Sequence, residues 1–199
     1  MNTEKNKEDI DKIISSFKEL YDNNKKLSKF SMSDISEKSN ILIGKLYSLF
    51  NCKEEIAIYI IEKSVNEIFL IFDEETSSDT QLGDQLKIFL SLQLEFLGPN
   101  INLINDFLLE LANPFSDFSK FVNSKKIKYT NFLTEIITKN FGKKNVLFQL
   151  SIPLIVRTFM VFNIAVLKYW ENDKSEGKMK TLGFIENGVK NFMVIATLM

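Results

Sequence analysis

Few side chains in this sequence are suited to catalytic chemistry. The 199 residues include no histidine and a single cysteine, Cys52, so the sequence lacks the commonest general base and cannot form an internal disulfide or a thiolate metal site. No pair of carboxylates, activated nucleophile or glycine-rich phosphate loop stands out. We therefore predict no enzyme activity, no cofactor and no metal site, and a reducing, cytoplasmic location.

Arg157 is the one arginine in the chain and lies in a largely apolar stretch. With Gln149 and Asn163 it forms a polar stripe within about 120° of a helix surface. A buried arginine needs an anion or several acceptors, because its charge is not removed by deprotonation. One prediction is a salt bridge, within the chain or across a dimer, to a carboxylate such as Glu110 or Glu135. The alternative is that Arg157 binds the acidic head of a fatty-acid-like ligand.

The apolar stretch 146–167 is long enough to cross a membrane. It contains Pro153 and Arg157, and a central arginine is costly in lipid. We predict instead a helix buried in protein on most sides, with its surplus apolar surface covered by a partner or a ligand. Residues 1–9 are polar and lack the apolar run of a secretory signal.

Helical periodicity runs through almost the whole chain. Apolar residues make up 45% of it and charged residues 26%, and only 7 glycines and 3 prolines interrupt the pattern. These features favour an all-α fold. The first predicted helix ends at Asn23-Asn24. The helices predicted after residue 50 span about 53–73, 82–97, 101–111, 115–121, 127–141, 143–171 and 178–198. Pro153 should kink its helix or mark the true start of that helix.

Phenylalanines crowd the middle of the chain. Aromatic residues at helical spacing usually form a core, but so many rings are also able to line a cavity for an apolar ligand. The candidate ligand-binding residues are Phe89, Phe96, Phe107, Phe132, Arg157 and Met160.

Two short helices around a tight turn are predicted within residues 31–50. Ser31 and Asp34 form a capping-box-like start, and Asn40 tolerates the left-handed backbone of a turn. The second helix buries one face through Ile43, Leu46, Tyr47 and Phe50. Such a pair is a helix-turn-helix unit. Ten lysines against eight acidic residues give residues 1–53 a charge of +2, a mild basic bias.

Three segments around this unit resemble the DNA-binding signature of the TetR family. They are Asp34-Ile35-Ser36, Gly44-Lys45-Leu46-Tyr47-Ser48-Leu49-Phe50 and Lys53-Glu54-Glu55-Ile56. The resemblance covers roughly residues 8–60. A second resemblance, to the C-terminal part of the same family, rests on Tyr169-Trp170-Glu171-Asn172-Asp173-Lys174-Ser175, Lys180-Thr181 and Ile185-Glu186.

The resemblance implies a DNA-binding domain over residues 1–53 and a ligand-binding and dimerisation domain over residues 54–199. It implies a ligand-responsive transcriptional regulator, a repressor, that binds a near-palindromic operator as a homodimer through its two C-terminal helices. A small apolar effector, with an acidic group as one alternative, would release it. By position in the motif, the base contacts are Leu42, Ile43, Lys45 and Ser48, and the phosphate contacts are Ser31, Ser33, Tyr47 and Lys53.

The sequence departs from the family pattern where DNA would be read. Leu42 and Ile43 are apolar at positions where family members carry polar or cationic residues. The second hypothesis is therefore a TetR-like small-molecule binding or interaction protein with weak or lost specific DNA binding.

Overall fold

The computed structural model describes the backbone of residues 2–111, 117–141 and 146–198, and the side chains of residues 6–106, 128–140 and 150–196. These residues form nine α-helices and three short 3-10 turns, with no β-strand among them, which confirms the all-α fold. The helices are α1 (Asn2–Asn24), α2 (Met32–Ser39), α3 (Ile43–Leu49), α4 (Lys53–Glu75), α5 (Leu82–Leu97), α6 (Ile101–Leu111), α7 (Asp117–Phe141), α8 (Val146–Asn172) and α9 (Met179–Leu198).

One predicted helix boundary is wrong, and one of the two alternatives predicted for Pro153 is excluded. The separate helices expected at 115–121 and 127–141 are one helix, α7, because no glycine or proline lies between residues 117 and 141 to end it. Pro153 does not mark the start of α8, which begins seven residues earlier at Val146 and continues through the proline. A proline removes only its own backbone donor, so the surrounding turns hold the helix together.

The chain packs into two compact units. The first comprises Met1–Lys63 and Asn102–Val122, and the second comprises Ser64–Ile101 and Asn123–Met199. This division differs from the predicted one after residue 53, because the first turns of α4 and part of α6 belong to the first unit. Ile56 and Ile60 of α4 and Leu103 of α6 are buried in its core.

Helix α1 supplies one wall of the first core. Ile13 and Phe17 lie on the same face and are fully buried, as is Leu46 of α3. Tyr21, one turn further along α1, donates its hydroxyl to the Asp106 carboxylate at 3.0 Å. The buried faces of α2 and α3 pack on this core, and their other faces are exposed to solvent.

A buried polar cluster ties three helices of the second unit together. Gln93 of α5 donates to the hydroxyl of Tyr129 of α7 at 2.6 Å. Asn163 of α8 donates to the same hydroxyl at 2.8 Å and to the Gln93 side-chain oxygen. Burial raises the pKa of Tyr129, so its hydroxyl stays neutral. Satisfied polar groups in an apolar core fix the register of the helices that carry them.

The corner between α8 and α9 is built around a buried carboxylate. Asp173 accepts hydrogen bonds from the Ser175 hydroxyl and amide at 2.6 and 2.9 Å, and from the Thr181 hydroxyl and amide at 2.7 and 2.9 Å. These hydrogen bonds, with those from the Ser175 hydroxyl foremost, lower the pKa of Asp173. The corner therefore fixes the direction in which α9 leaves α8.

One face of α8 is exposed in the single chain, and it is the surplus apolar surface that the sequence assigned to a partner or a ligand. Its other face packs inward through buried residues such as Val156 and Phe159. Within the described residues, Leu150–Asn172 is the single segment long and apolar enough to cross a membrane by length and composition. Of its most apolar 18 residues, 33% are buried.

Candidate nucleic-acid interface

A capping box fixes the start of α2. The Asp34 amide donates to the Ser31 hydroxyl at 3.3 Å, and the Ser31 amide donates to the Asp34 carboxylate at 2.7 Å. This reciprocal pair is the one predicted from sequence, and its hydrogen bonds from Ser31 lower the pKa of Asp34. Ser31 and Ser33 are both exposed at this helix end. Their positions suit contact with a phosphate, because helix N-termini attract anions.

Asn40 makes the turn between α2 and α3. Its φ of 54° and ψ of 34° are left-handed, and its amide donates back to the Glu37 carbonyl at 3.3 Å. Ser36 also stabilises the turn, because its hydroxyl donates to the Ile41 carbonyl at 2.6 Å. Asn tolerates this conformation better than most residues, as predicted.

Helix α3 presents an unusually apolar surface to solvent. Leu42, directly before the helix, is 82% exposed, Ile43 is 40% exposed and Tyr47 is 52% exposed. The prediction that Ile43 and Tyr47 lie on the buried face is therefore wrong, whereas Leu46 and Phe50 are buried as predicted. Ser48 is also exposed, with its hydroxyl donating to the Lys45 carbonyl at 2.7 Å. Large apolar side chains in this position are covered only if another molecule contacts the helix.

Lys45 is the one cation of α3, and it is already paired. Its ammonium forms an ion pair with Asp9 of α1, a residue that is only 7% exposed. The positive charge of α3 is therefore largely compensated from within the protein. Sequence reasoning missed this pair, because 36 residues separate its partners.

Lys53 holds the segment before α2 rather than extending into solvent. Its ammonium donates to the carbonyls of Leu27 and Phe30 at 2.7 and 2.8 Å and lies over the Phe30 ring. In the same segment, Lys26 and Lys29 are exposed. Sequence reasoning passed over these two lysines, although the run Lys25-Lys26-Leu27-Ser28-Lys29 was visible as a local basic cluster.

Gly44 is a further residue that sequence reasoning used only as part of a motif. It lies in the first turn of α3, and a Cβ added there would meet nothing within 4 Å. Glycine in a helix costs about 0.5–1 kcal/mol relative to alanine. Since no intramolecular contact requires glycine here, its small size leaves room for a close approach from outside.

The side chains of five of the six candidate ligand residues are described, and they differ in burial. Phe89 is fully buried, whereas Phe96 and Met160 are half-buried and Phe132 is half-buried at the edge of a pocket. Arg157 is exposed on α8 and forms no ion pair among the described residues, so it is not paired with Glu135. The side chains of Phe107 and Glu110 lie outside the described residues. No group of three or more His, Cys, Asp or Glu side chains in the described part of the chain could hold a metal ion.

The fold and the α2–α3 unit define a helix-turn-helix protein with a helical second unit. A family model described as "Tetracyclin repressor-like, C-terminal domain" matches residues 85–198, more than half of the chain. The chain therefore belongs to the TetR family of transcriptional regulators.

A curated relative and two solved structures agree with this assignment. The chain is 25% identical over 95 residues to the HTH-type transcriptional regulator SAR0097 of Staphylococcus aureus (strain MRSA252). That match spans 47% of this chain and 50% of the relative, so the chain spans about half the length of the relative it matches. The fold is similar to that of a TetR transcriptional regulator from Nitrosomonas europaea ATCC 19718, with a TM-score of 0.65, 11% identity and coverage of 96% of this chain and 98% of that one. It is also similar to that of a transcriptional regulator from Aquifex aeolicus VF5, with a TM-score of 0.64, 18% identity and coverage of 92% and 98%.

Proposed function

We propose that this protein is a cytoplasmic, ligand-responsive repressor that binds a near-palindromic DNA operator as a homodimer. The observation that carries the proposal is the outer surface of α3, where exposed apolar side chains surround a glycine that no internal contact requires. A surface of this kind is stable in a folded protein when it has a binding partner. Recognition helices of dimeric helix-turn-helix proteins enter successive major grooves about 34 Å apart.

In this proposal α3 reads the bases and its surroundings contact phosphates. Leu42 and Ile43 contact thymine methyl groups, which are the apolar feature of the major groove. Lys45 and Ser48 hydrogen-bond to base edges. The phosphate contacts come from the hydroxyls of Ser31, Ser33 and Tyr47 and from the exposed ammonium groups of Lys26 and Lys29. Lys53, predicted from the motif as a phosphate contact, instead holds the segment that carries Lys26 and Lys29.

The Lys45–Asp9 pair makes the interface less basic than its sequence implies. A cation that is already neutralised releases fewer counterions when it meets DNA, so the salt dependence of binding should be shallow. We expect specificity to depend on apolar and hydrogen-bonding contacts more than on net charge. The same pair favours the alternative function, a small-molecule binding or interaction protein that has lost specific DNA binding.

Gly44 provides a sharp test of the DNA-binding role. A methyl group there meets no atom of the protein, so Gly44→Ala should stabilise the fold by about 0.5–1 kcal/mol. If DNA approaches α3 closely at Gly44, the same change should weaken specific DNA binding at least tenfold. Thermal unfolding and fluorescence anisotropy with the DNA flanking the protein's own gene measure the two effects separately. Unchanged DNA affinity in the more stable variant would count against an interface at Gly44.

Lys45 and Tyr47 separate base readout from phosphate contact. Lys45→Ala should weaken specific binding more than non-specific binding, because Lys45 is the one cation of α3. Tyr47→Phe removes one exposed hydroxyl and should weaken both kinds of binding about equally. Equal losses from the two substitutions on all DNA sequences would make Lys45 a backbone contact.

The exposed face of α8 supports the proposed dimer. Leu150, Leu154, Val161 and Ile164 are 73, 53, 63 and 44% exposed and lie with Arg157 within about 80° of one another at 100° per residue. Their spacing alternates between four and three residues, as in a helix seam that packs on another helix. On α9, Met179, Leu182, Val194 and Ile195 add exposed apolar surface. A four-helix contact between two copies covers both helices, and Arg157 pairs with a carboxylate of the second copy.

The dimer face is testable with a matched pair of variants. Val161→Glu introduces a charge into the α8 face, whereas Leu70→Glu introduces it at a site on α4 that is 60% exposed and outside that face. Analytical ultracentrifugation at micromolar concentration should give about twice 23.1 kDa for the wild type and Leu70→Glu, and about 23.1 kDa for Val161→Glu. A monomeric wild type would contradict the dimer and the two-half-site operator.

A further inference from the structure

The second unit contains an open pocket of about 430 Å³, a volume in the range of small-molecule sites. Its walls come from the last turns of α4, the loop that follows, the first turn of α5, and α7. The lining residues are Phe69, Phe72, Asp73, Thr76, Ser77, Ser78, Gln85, Phe132, Glu135, Ile136 and Lys139.

Three phenylalanine rings form the apolar side of this pocket. Phe132 lies with its ring centroid 4.2 Å from that of Phe69 and 5.2 Å from that of Phe72. Phe72 is buried, whereas Phe69 and Phe132 are only half-buried and offer part of their surface to the pocket. The ring of the buried Phe89 also packs against Phe132, with their centroids 5.3 Å apart. The rings are therefore held in place before any ligand arrives.

The neutral polar groups of the pocket are already satisfied by the protein. The Gln85 amide donates to the Thr80 carbonyl at 2.9 Å, and its oxygen accepts from Asn140 at 2.9 Å. The Thr76 hydroxyl donates to the Phe72 carbonyl at 2.7 Å, and the Ser77 amide donates to the Thr80 hydroxyl at 3.0 Å. These groups give the pocket shape and leave its charged side chains to attract a ligand.

Two unpaired carboxylates set the charge of the pocket. Asp73 and Glu135 are exposed at its rim, and neither forms a hydrogen bond or an ion pair within the described residues. Among the described lining residues Lys139 is the single cation, and with the two carboxylates it gives a net charge of −1. Lys128, which is not one of these lining residues, lies with its ammonium 5.8 Å from the Phe69 ring centroid. Arg157, the residue expected to bind an acidic ligand, does not line the pocket.

We propose that this pocket binds an organic cation with an aromatic body and that this cation is the effector of the regulator. A cation next to aromatic faces is attracted by the ring quadrupole, and nearby carboxylates add a Coulombic attraction that an anion would feel as repulsion. The inference rests on the proposed function for its regulatory role. It gives that effector a charge opposite to the acidic group considered from the sequence.

Helix α4 gives the pocket a route to the DNA-binding unit. Its last turns provide Phe69, Phe72 and Asp73 to the pocket, and its first turns bury Ile56 and Ile60 in the core that supports α3. A ligand that shifts the C-terminal part of α4 therefore acts on a helix whose N-terminal part belongs to the first unit. Occupancy of the pocket should change DNA affinity only if the two ends of α4 move together.

Two ions of the same shape and opposite charge test the proposal. Tetraphenylphosphonium and tetraphenylborate are titrated into the full-length protein by calorimetry in the absence of DNA. We expect tetraphenylphosphonium to bind at least tenfold more tightly than tetraphenylborate. Equal or tighter binding of the borate would overturn the assignment of a cation site.

Matched variants locate the binding. Asp73→Asn together with Glu135→Gln should weaken tetraphenylphosphonium binding about tenfold or more. Glu67→Gln together with Glu95→Gln removes the same charge from exposed carboxylates that do not line the pocket, and should leave the affinity within twofold of the wild type. Phe132→Leu keeps both carboxylates and should also weaken binding. Equal effects of the two double variants would place the cation elsewhere and refute the pocket.

The same ions distinguish this inference from the proposed function. If tetraphenylphosphonium binds as described but the protein does not recognise DNA, the pocket stands and the regulator proposal fails. If the protein binds its operator but the cation neither binds nor releases it, the pocket assignment fails and the regulator proposal stands.

Discussion

Gly188 packs so closely against Phe162 that we expect an added methyl group to destabilise the protein. A Cβ built at Gly188 of α9 would lie 2.2 Å from Cζ and 2.3 Å from Cε2 of Phe162 of α8. Non-bonded carbons prefer about 3.5–4.0 Å, so the ring must retreat by more than about 1 Å. Its retreat is hindered because Phe159 and Phe184 pack against it, with ring centroids 6.2 and 5.7 Å away. Overpacking of this kind costs about 1–3 kcal/mol.

Gly83→Ala is the matched control for this substitution. A Cβ at Gly83 of α5 would meet Met193 at 3.8 Å and Val189 at 4.0 Å, which are ordinary van der Waals distances. Both substitutions gain up to about 1 kcal/mol of helix propensity, so much of that gain cancels in the comparison. We expect Gly188→Ala to be less stable than Gly83→Ala by about 1–3 kcal/mol.

Urea unfolding followed by circular dichroism at one fixed protein concentration measures this difference. Concentration is held constant because a dimer's stability depends on it. Adding Phe162→Leu to Gly188→Ala should recover part of the loss, since the smaller side chain makes room for the methyl group. Equal stability of the two alanine variants would refute the close packing of α8 on α9.

Two further predictions concern buried polar groups of the second unit. The pKa of Asp173 is lower in the folded chain than the ordinary value of about 3.9, so its contribution to stability is present above that pH and is lost as the pH falls below it. The stability difference between the wild type and Asp173→Asn in urea should therefore be largest near neutral pH and shrink as the pH falls below about 4. A difference that grows towards acid pH would contradict a lowered pKa of Asp173 in the folded chain. Tyr129→Phe leaves two buried amide donors without their acceptor and should cost about 1–3 kcal/mol in the same assay. Tyr59→Phe, at a residue that is 39% exposed, should stay within about 0.5 kcal/mol, and equal effects of the two substitutions would show that the cluster contributes nothing.

The helix-turn-helix unit was predictable because local chemistry determines it. Ser31 and Asp34 cap α2 within one turn, and Asn40 adopts the left-handed conformation that its side chain tolerates. The apolar spacing of α3 correctly placed Leu46 in the core, but it also placed Tyr47 there, and Tyr47 is exposed. Each of these features depends on residues no more than a few positions apart.

Contacts between distant residues were not predictable in the same way. The Lys45–Asp9 pair and the Gln93–Tyr129–Asn163 cluster join residues on different helices, and no local pattern indicates them. The exposure of Arg157 was not predicted for a different reason. Periodicity identified the apolar character of α8 but did not indicate which of its faces the chain itself covers.

The pocket was not predictable either, because it is formed by helices that are distant in the sequence. The many phenylalanines left a cavity open as an alternative to a core, but only the packing of α4 against α7 brings Phe69 next to Phe132. Asp73 and Glu135 were ordinary surface carboxylates in the sequence. Their shared position at the pocket rim changes the expected charge of the ligand.

Specific DNA recognition is the central claim, and a salt titration with paired duplexes tests it most directly. Fluorescence anisotropy compares a duplex from the region flanking the protein's own gene with a scrambled duplex of equal length and composition, at about 50 and 200 mM salt. We predict saturable binding to the flanking duplex that exceeds binding to the scrambled duplex by at least 100-fold at both salt concentrations. Equal affinity for the two duplexes, or no binding even at about 50 mM salt, would contradict the claim.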